Sequence, residues 1–249
     1  MTATTAGDLS ADWTTVSTPD GPMRVYRAHP PASQAVNPAA AVIVLQEAFG
    51  VNDHIQDVTR RLAAQGYLAV APDLFHRSGK ETVEYTDFET AMGLIGELGP
   101  EQINADVAAV LAQLANDGIH ADRTAIVGFC FGGRAAFTAA TAFPVAATVV
   151  FYGPGIASGP HAVVDRADQI KGSVLMFVGD ADPHVPEDDR LAIESAARKS
   201  GVDLRSVVVG GAGHAFHCDA RPDAYVADAA QQAWRDTTGF LSETLSPQS

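Results

Sequence analysis

The chain has 249 residues, 47% of them hydrophobic, with 16 basic and 30 acidic side chains and a formal charge of −14. That size suits one α/β domain with a large core, and the acidic excess argues against nucleic acid or an anionic membrane as partner. Two cysteines make no disulfide framework, Met1–Trp13 lacks a basic-then-apolar leader pattern and no apolar run is long enough to span a membrane, so a soluble cytoplasmic protein is expected.

Residues 1–10 are small and polar and read as a frayed start. Trp13–Ser17 and Met23–Ala28 read as strands joined by a Pro19-Asp20-Gly21-Pro22 turn. Pro30–Asn37 is a loop. Ala40–Leu45 is a continuous apolar run, hence a buried strand, followed by Gln46-Glu47-Ala48-Phe49-Gly50. Asn52 can cap a helix with Ile55, Val58, Leu62 and Ala63 at helical spacing. Tyr67–Ala71 is the next strand, closed by Pro72-Asp73.

A polar loop over 74–84 leads to helices over Phe88–Leu98 and Glu101–Asn116. The second carries an apolar stripe of Val107, Val110, Leu111 and Leu114. Further strands are expected at Val145–Tyr152, Ser173–Val178 and Leu204–Val209. Helices are expected at Pro186–Lys199, with Pro186 in its first turn, and at Pro222–Leu241. This alternation predicts right-handed βαβ units and a mainly parallel central sheet with helices on both faces, as a single domain over 1–249. Ligands of such sheets bind at the carboxyl ends of the strands.

The most informative stretch is Ala125-Ile126-Val127-Gly128-Phe129-Cys130-Phe131-Gly132-Gly133-Arg134. A β-prone run ends in Gly-x-Cys-x-Gly-Gly and enters an Ala-rich helical segment. That pattern is a nucleophile elbow with cysteine in place of serine. With 22 glycines in the chain, glycine at both flanking positions of a given cysteine arises by chance about once in a hundred. A helix N-terminus behind the sulfur favours the thiolate.

Two later strand ends carry partners. Gly179-Asp180-Ala181-Asp182 follows one, and Gly210-Gly211-Ala212-Gly213-His214 follows the next. Nucleophile, acid, histidine is the chain order of an α/β-hydrolase triad. His214 would take the thiol proton and activate water, and either Asp180 or Asp182 would orient the imidazole. A metal reading of His214, His217 and Cys218 is disfavoured, because zinc needs a further ligand and would occupy the base. No metal and no cofactor are expected. His54, His76, His161 and His184 read as surface or loop residues.

These residues resemble the dienelactone hydrolase family of the α/β hydrolases. The matches are Gln46-Glu47-Ala48-Phe49-Gly50-Val51-Asn52, Ala71-Pro72-Asp73-Leu74-Phe75, the Gly-Phe-Cys-Phe-Gly-Gly elbow, Phe151-Tyr152-Gly153, Asp182 ahead of Val185-Pro186, and Gly213-His214-Ala215-Phe216. The resemblance implies Cys130 as nucleophile, His214 as base and Asp182 as orienter. It implies that Glu47 guards the resting cysteine, and that the backbone N–H groups of Phe131 and Ala48 form the oxyanion hole. It implies Arg77 as one arm of a substrate-carboxylate grip, with Tyr152 lining the pocket. The family's second arginine position holds Cys218 here, and Arg221 lies nearby in sequence.

The expected activity is cofactor-independent hydrolysis of a small ester or lactone, carboxylate-bearing in one version, through a thioacyl-enzyme. A thioesterase could use the same machinery. The expected assembly is a monomer or a small homo-oligomer. A non-catalytic binding or redox-sensing protein on a hydrolase fold is the alternative from another class.

Overall fold

In the computed structural model, which describes residues 9–36 and 39–245, eight strands form one sheet. Most of the stretch read as frayed lies outside these residues, although Ser10 already opens the first strand. β1 (Ser10–Thr18) and β2 (Gly21–His29) form an antiparallel hairpin that turns at Pro19-Asp20, with Gly21 at φ 118°, a value glycine tolerates best. The hairpin joins β4 (Leu68–Pro72) antiparallel. From there β3 (Ala41–Leu45), β5 (Thr124–Phe129), β6 (Ala147–Phe151), β7 (Ser173–Gly179) and β8 (Leu204–Val209) continue in parallel, in the order β1-β2-β4-β3-β5-β6-β7-β8.

The middle strands are buried on both faces, which explains their unbroken apolar sequence. One face packs under α1 (Asp53–Ala63) and α6 (Ala227–Leu245), through Ile55, Val58, Leu62, Phe240 and Leu241. The other lies under α3 (Pro100–Asn116), α4 (Phe131–Ala140) and α5 (Glu187–Ser200). The short α2 (Phe88–Gly96) leans on the same side through Ala91. Helices on both faces of a mainly parallel sheet make this the α/β-hydrolase arrangement.

Asn52 caps α1 as its sequence suggests, accepting from the Ile55 N–H at 3.2 Å. Three local readings change. Pro186 is the N-cap of α5 and stands outside the first turn. A 3₁₀ segment, Val164–Gln169, appears where apolar periodicity gives no signal. The last helix begins at Ala227 and not at Pro222, because the Val226 N–H is turned back to the Phe216 carbonyl at 3.0 Å.

Candidate active site

Cys130 follows β5 directly and stands at φ 55°, ψ −121°, before the first residue of α4. For a residue with a Cβ this is a costly conformation, and the neighbours enforce it. Its N–H donates to the Phe151 carbonyl at 3.0 Å. A Cβ on Gly128 would come within 1.9 Å of the Gly132 carbonyl oxygen, and one on Gly132 within 2.2 Å of the Leu45 carbonyl oxygen. The glycines thus let α4 start against the ends of β3 and β5. Cys130 is partly exposed, while every residue of α4 is buried.

The tight start of α4 also brings Phe131 beside the strand exit that carries Ala48. Both residues are buried, and neither N–H donates to another backbone group among the described residues. Two such donors near the Cys130 turn have the character that a developing oxyanion would need. Arg134, in the next turn, is buried with its guanidinium 5.2 Å from the Phe131 ring centroid. Burial lowers its pKa, and the charge of Cys130 works against that shift.

His214 and Asp182 come from the loops after β8 and β7. His214 Nδ1 is 2.9 Å from Asp182 Oδ2, and the His184 N–H donates to Asp182 Oδ1 at 2.8 Å. The Asp182 side chain is fully buried. Burial opposes a charge on His214, but hydrogen bonds with Asp182 and Cys130 outweigh it and carry its pKa up to about 10. An imidazolium held between a carboxylate and a thiol is one half of an ion pair with a thiolate. Asp180 serves the backbone instead, since its carboxylate accepts from the Gly211 N–H at 2.7 Å and closes the turn.

The rings around His214 limit its motion. Tyr152 packs edge-on at 5.1 Å between centroids, and His184 packs likewise at 4.8 Å. Tyr152 is fully buried at φ 39°, and its hydroxyl donates to Glu47 Oε1 at 3.5 Å. Burial first, then the charges of Glu47 and the two cysteines, hold that hydroxyl far above the usual tyrosine range. Glu47 is buried as well. No hydrogen bond joins it to Cys130 among the described residues, and its Oε2 has no hydrogen-bond partner there.

Arg77 is not brought to this cluster, which corrects the reading of it as a carboxylate grip. Its guanidinium is clamped by Asp106 at 2.7 and 2.8 Å, and its Nε donates to Asp20 at 2.7 Å. Asp106 is fully buried and also faces His76 at 3.1 Å, so Arg77 neutralises an interior carboxylate. Arg221 is a cation near Cys218: its guanidinium lies 5.7 Å from the Phe49 ring centroid and 5.6 Å from that of Tyr85.

Of the histidines read as surface or loop residues, His54 is instead a buried residue of α1, while His76 is in a loop with its side chain turned inward. His76 is held by Asp106, and His54 is buried with Nδ1 at 3.1 Å from Asp219. His217 packs among the rings of Phe129, Phe151 and Trp234 and makes no hydrogen bond or ring contact with Cys130 or His214 among the described residues. Tyr85 and Asn52 are neighbours of the site that the sequence does not announce. Asn52 donates to the Tyr85 hydroxyl at 3.0 Å, and that hydroxyl lies 3.6 Å from Cys218 Sγ. Asn52 is legible only as a helix cap, and Tyr85 sits in a loop without periodicity.

Comparison with known proteins bears on the family and the fold. The model of the dienelactone hydrolase family matches residues 23–245. A provisionally named carboxymethylenebutenolidase of Salmonella typhimurium is 35% identical over 241 residues, covering 94% of this chain and 88% of the relative. The crystal structure of a provisionally named dienelactone hydrolase from Klebsiella pneumoniae superposes with a TM-score of 0.87 at 33% identity, covering 95% of this chain and all of that one. A dienelactone hydrolase-like promiscuous phosphotriesterase from metagenomic libraries gives 0.80 at 26% identity, covering 96% of this chain and 99% of that one.

Proposed function

The chain belongs to the dienelactone hydrolase family, and from that premise we propose that it hydrolyses a small carboxylic ester or lactone through a Cys130–His214–Asp182 triad. The observation that carries this reading is the partly exposed Cys130 thiol on its strained turn, together with an imidazole that Asp182 fixes at 2.9 Å and whose pKa the nearby Cys130 helps to raise.

The thiol proton passes to His214 and the thiolate attacks the acyl carbon. The carbonyl oxygen becomes an oxyanion that faces the N–H groups of Phe131 and Ala48. Collapse breaks the bond to the leaving oxygen, which takes the proton from His214; in a lactone this oxygen stays tethered to the acyl group. Water then attacks the thioester with His214 as base. The second collapse releases the carboxylic acid and restores the thiol. Asp182 keeps the imidazole in one orientation throughout, and Glu47 and Tyr152 wall the pocket beside the sulfur. Where the substrate carries a carboxylate, Arg221 is the cation positioned to receive it, since Arg77 is held by Asp106 and Asp20.

Rapid-quench mass spectrometry on a panel of neutral esters and carboxylate-bearing lactones tests the reading. A transient acyl mass on the Cys130 peptide, absent from Cys130→Ala, is the expected result. Turnover by Cys130→Ala at the wild-type rate would overturn it.

A further inference from the structure

We propose that Glu47, His54 and Cys218 form a buried binding site for a single zinc-class divalent metal ion. The proposal is independent of the hydrolase reading. All three residues are buried, and one ligand atom from each lies within 4.8 Å of the other two. Two donor atoms on one ion at about 2.0–2.3 Å stand roughly 3.5 Å apart at the tetrahedral angle, so binding requires an inward movement of about 1 Å. Side-chain rotation supplies that.

The polar atoms in this cluster are short of partners. Glu47 Oε2 and His54 Nε2 are buried and make no hydrogen bond among the described residues. Interior polar atoms are ordinarily satisfied, so two orphans in one cluster point to a ligand. His54 Nδ1 already faces Asp219 Oδ1 at 3.1 Å, which leaves Nε2 as the coordinating nitrogen. A carboxylate behind a ligating imidazole is the usual outer support of a metal site. Arg61 pairs with the other oxygen of Asp219 and anchors that support. The Tyr85 hydroxyl steadies Cys218 at 3.6 Å, and Asn52 steadies Tyr85 in turn.

Charge and access fit as well. On binding, Cys218 releases its thiol proton to solvent and the sulfur binds as thiolate. Thiolate, carboxylate and neutral imidazole together balance a dipositive ion, so the loaded site carries no net charge. A sulfur–imidazole–carboxylate set selects zinc or cobalt over magnesium or calcium, and three protein ligands leave a fourth position for water. A cleft of about 330 Å³ reaches His54 and Tyr85 from the surface, with Asp53 and Glu84 at its wall. The net charge of −14 concentrates cations at such a mouth.

The test is titration of the chelator-treated full chain with Co²⁺, followed by absorption. The expected result is saturation at one ion per chain, with a thiolate-to-cobalt charge-transfer band that Zn²⁺ displaces. The band should be lost in Cys218→Ser, require at least tenfold more Co²⁺ in His54→Gln, and persist in Cys130→Ser. Absence of a saturable band in the wild type would overturn the proposal. So would a band that survives Cys218→Ser and vanishes in Cys130→Ser, since the ion would then sit on the elbow thiol. Crystals soaked in Zn²⁺ give a readout that needs no variant: an anomalous peak among the three donor atoms supports the site, and its absence at full soak overturns it.

Discussion

The carboxylate of Asp182 is held from both sides: one oxygen lies 2.9 Å from His214 Nδ1, and the other accepts the His184 N–H at 2.8 Å. Asp182 therefore has a fixed orientation before His214 leans on it. Asp182→Asn should lower kcat/KM by roughly 10³–10⁴-fold, because the amide favours the wrong tautomer of the imidazole. Asp180→Asn, which perturbs only the turn at Gly211, should change it by less than about tenfold and serves as the internal control. Steady-state kinetics on p-nitrophenyl acetate and a dienelactone decide between them.

The strained turn at Cys130 predicts a separation of stability from activity. Both Cys130→Ala and Cys130→Gly should lose turnover. In most positions glycine is the less stable of the two, but at φ 55° the order should reverse, by about 1 kcal/mol in favour of glycine. Chemical denaturation of the pair measures this; equal or inverted midpoints would show that the turn stores no strain.

The two arginines should part company in the same way. Arg77→Ala leaves the buried Asp106 without its bidentate partner, so the expected effect is a loss of about 2–4 kcal/mol in unfolding free energy with KM little changed. Arg221→Ala should raise KM for carboxylate-bearing lactones about tenfold or more and leave neutral esters alone. An equal effect on both substrate classes would remove Arg221 from anion binding.

His217 gives a pH signature. Burial first, then electrostatic coupling to His54 and the charge of Arg61, lower its pKa to about 3. The unfolded chain takes up this proton near pH 6.5 and the folded chain does not, so stability falls as pH drops from about 6.5 toward 3. The contribution of this one group approaches about 1.4 kcal/mol per pH unit within that window. His217→Phe should fit among Phe129, Phe151 and Trp234 and flatten the slope by that amount. Unfolding free energies at several pH values for the two proteins provide the check.

Much of this molecule is legible in its sequence, and the reasons are local. Strands buried on both faces must be apolar throughout, so Ala41–Leu45 and Ala147–Phe151 announce themselves. The elbow is readable because two glycines are required where carbonyl oxygens would meet a Cβ at 1.9 and 2.2 Å. His214 and an acid after β7 are readable because the fold fixes which strand ends they follow, while the choice of Asp182 over Asp180 comes from the family resemblance and not from spacing. Partnership between distant charged side chains is another matter. Nothing near Arg77 in sequence shows that Asp106 lies 29 positions ahead on α3 and faces it, and nothing near His54 reveals Asp219 at a separation of 165. The late start of α6 is hidden for the same reason, since it depends on the carbonyl of Phe216.

The glycine-locked junction of β3, β5 and α4 has a consequence for how this protein can change. Gly132 and Gly133 each abut main chain from a neighbouring strand end, at Leu45 and Phe151, so the Cys130 sulfur is bolted to a chassis that tolerates almost no remodelling. The segments at 74–87 and 153–163 carry no helix or strand of their own, and they are tied to the core at a few points such as Phe75, Arg77, Val83, Ile156 and Val163. Inheritance and laboratory selection can therefore redraw the walls without disturbing the engine. New substrate preferences should be sought in libraries confined to the exposed positions of those two segments, with Arg77 and the elbow left untouched.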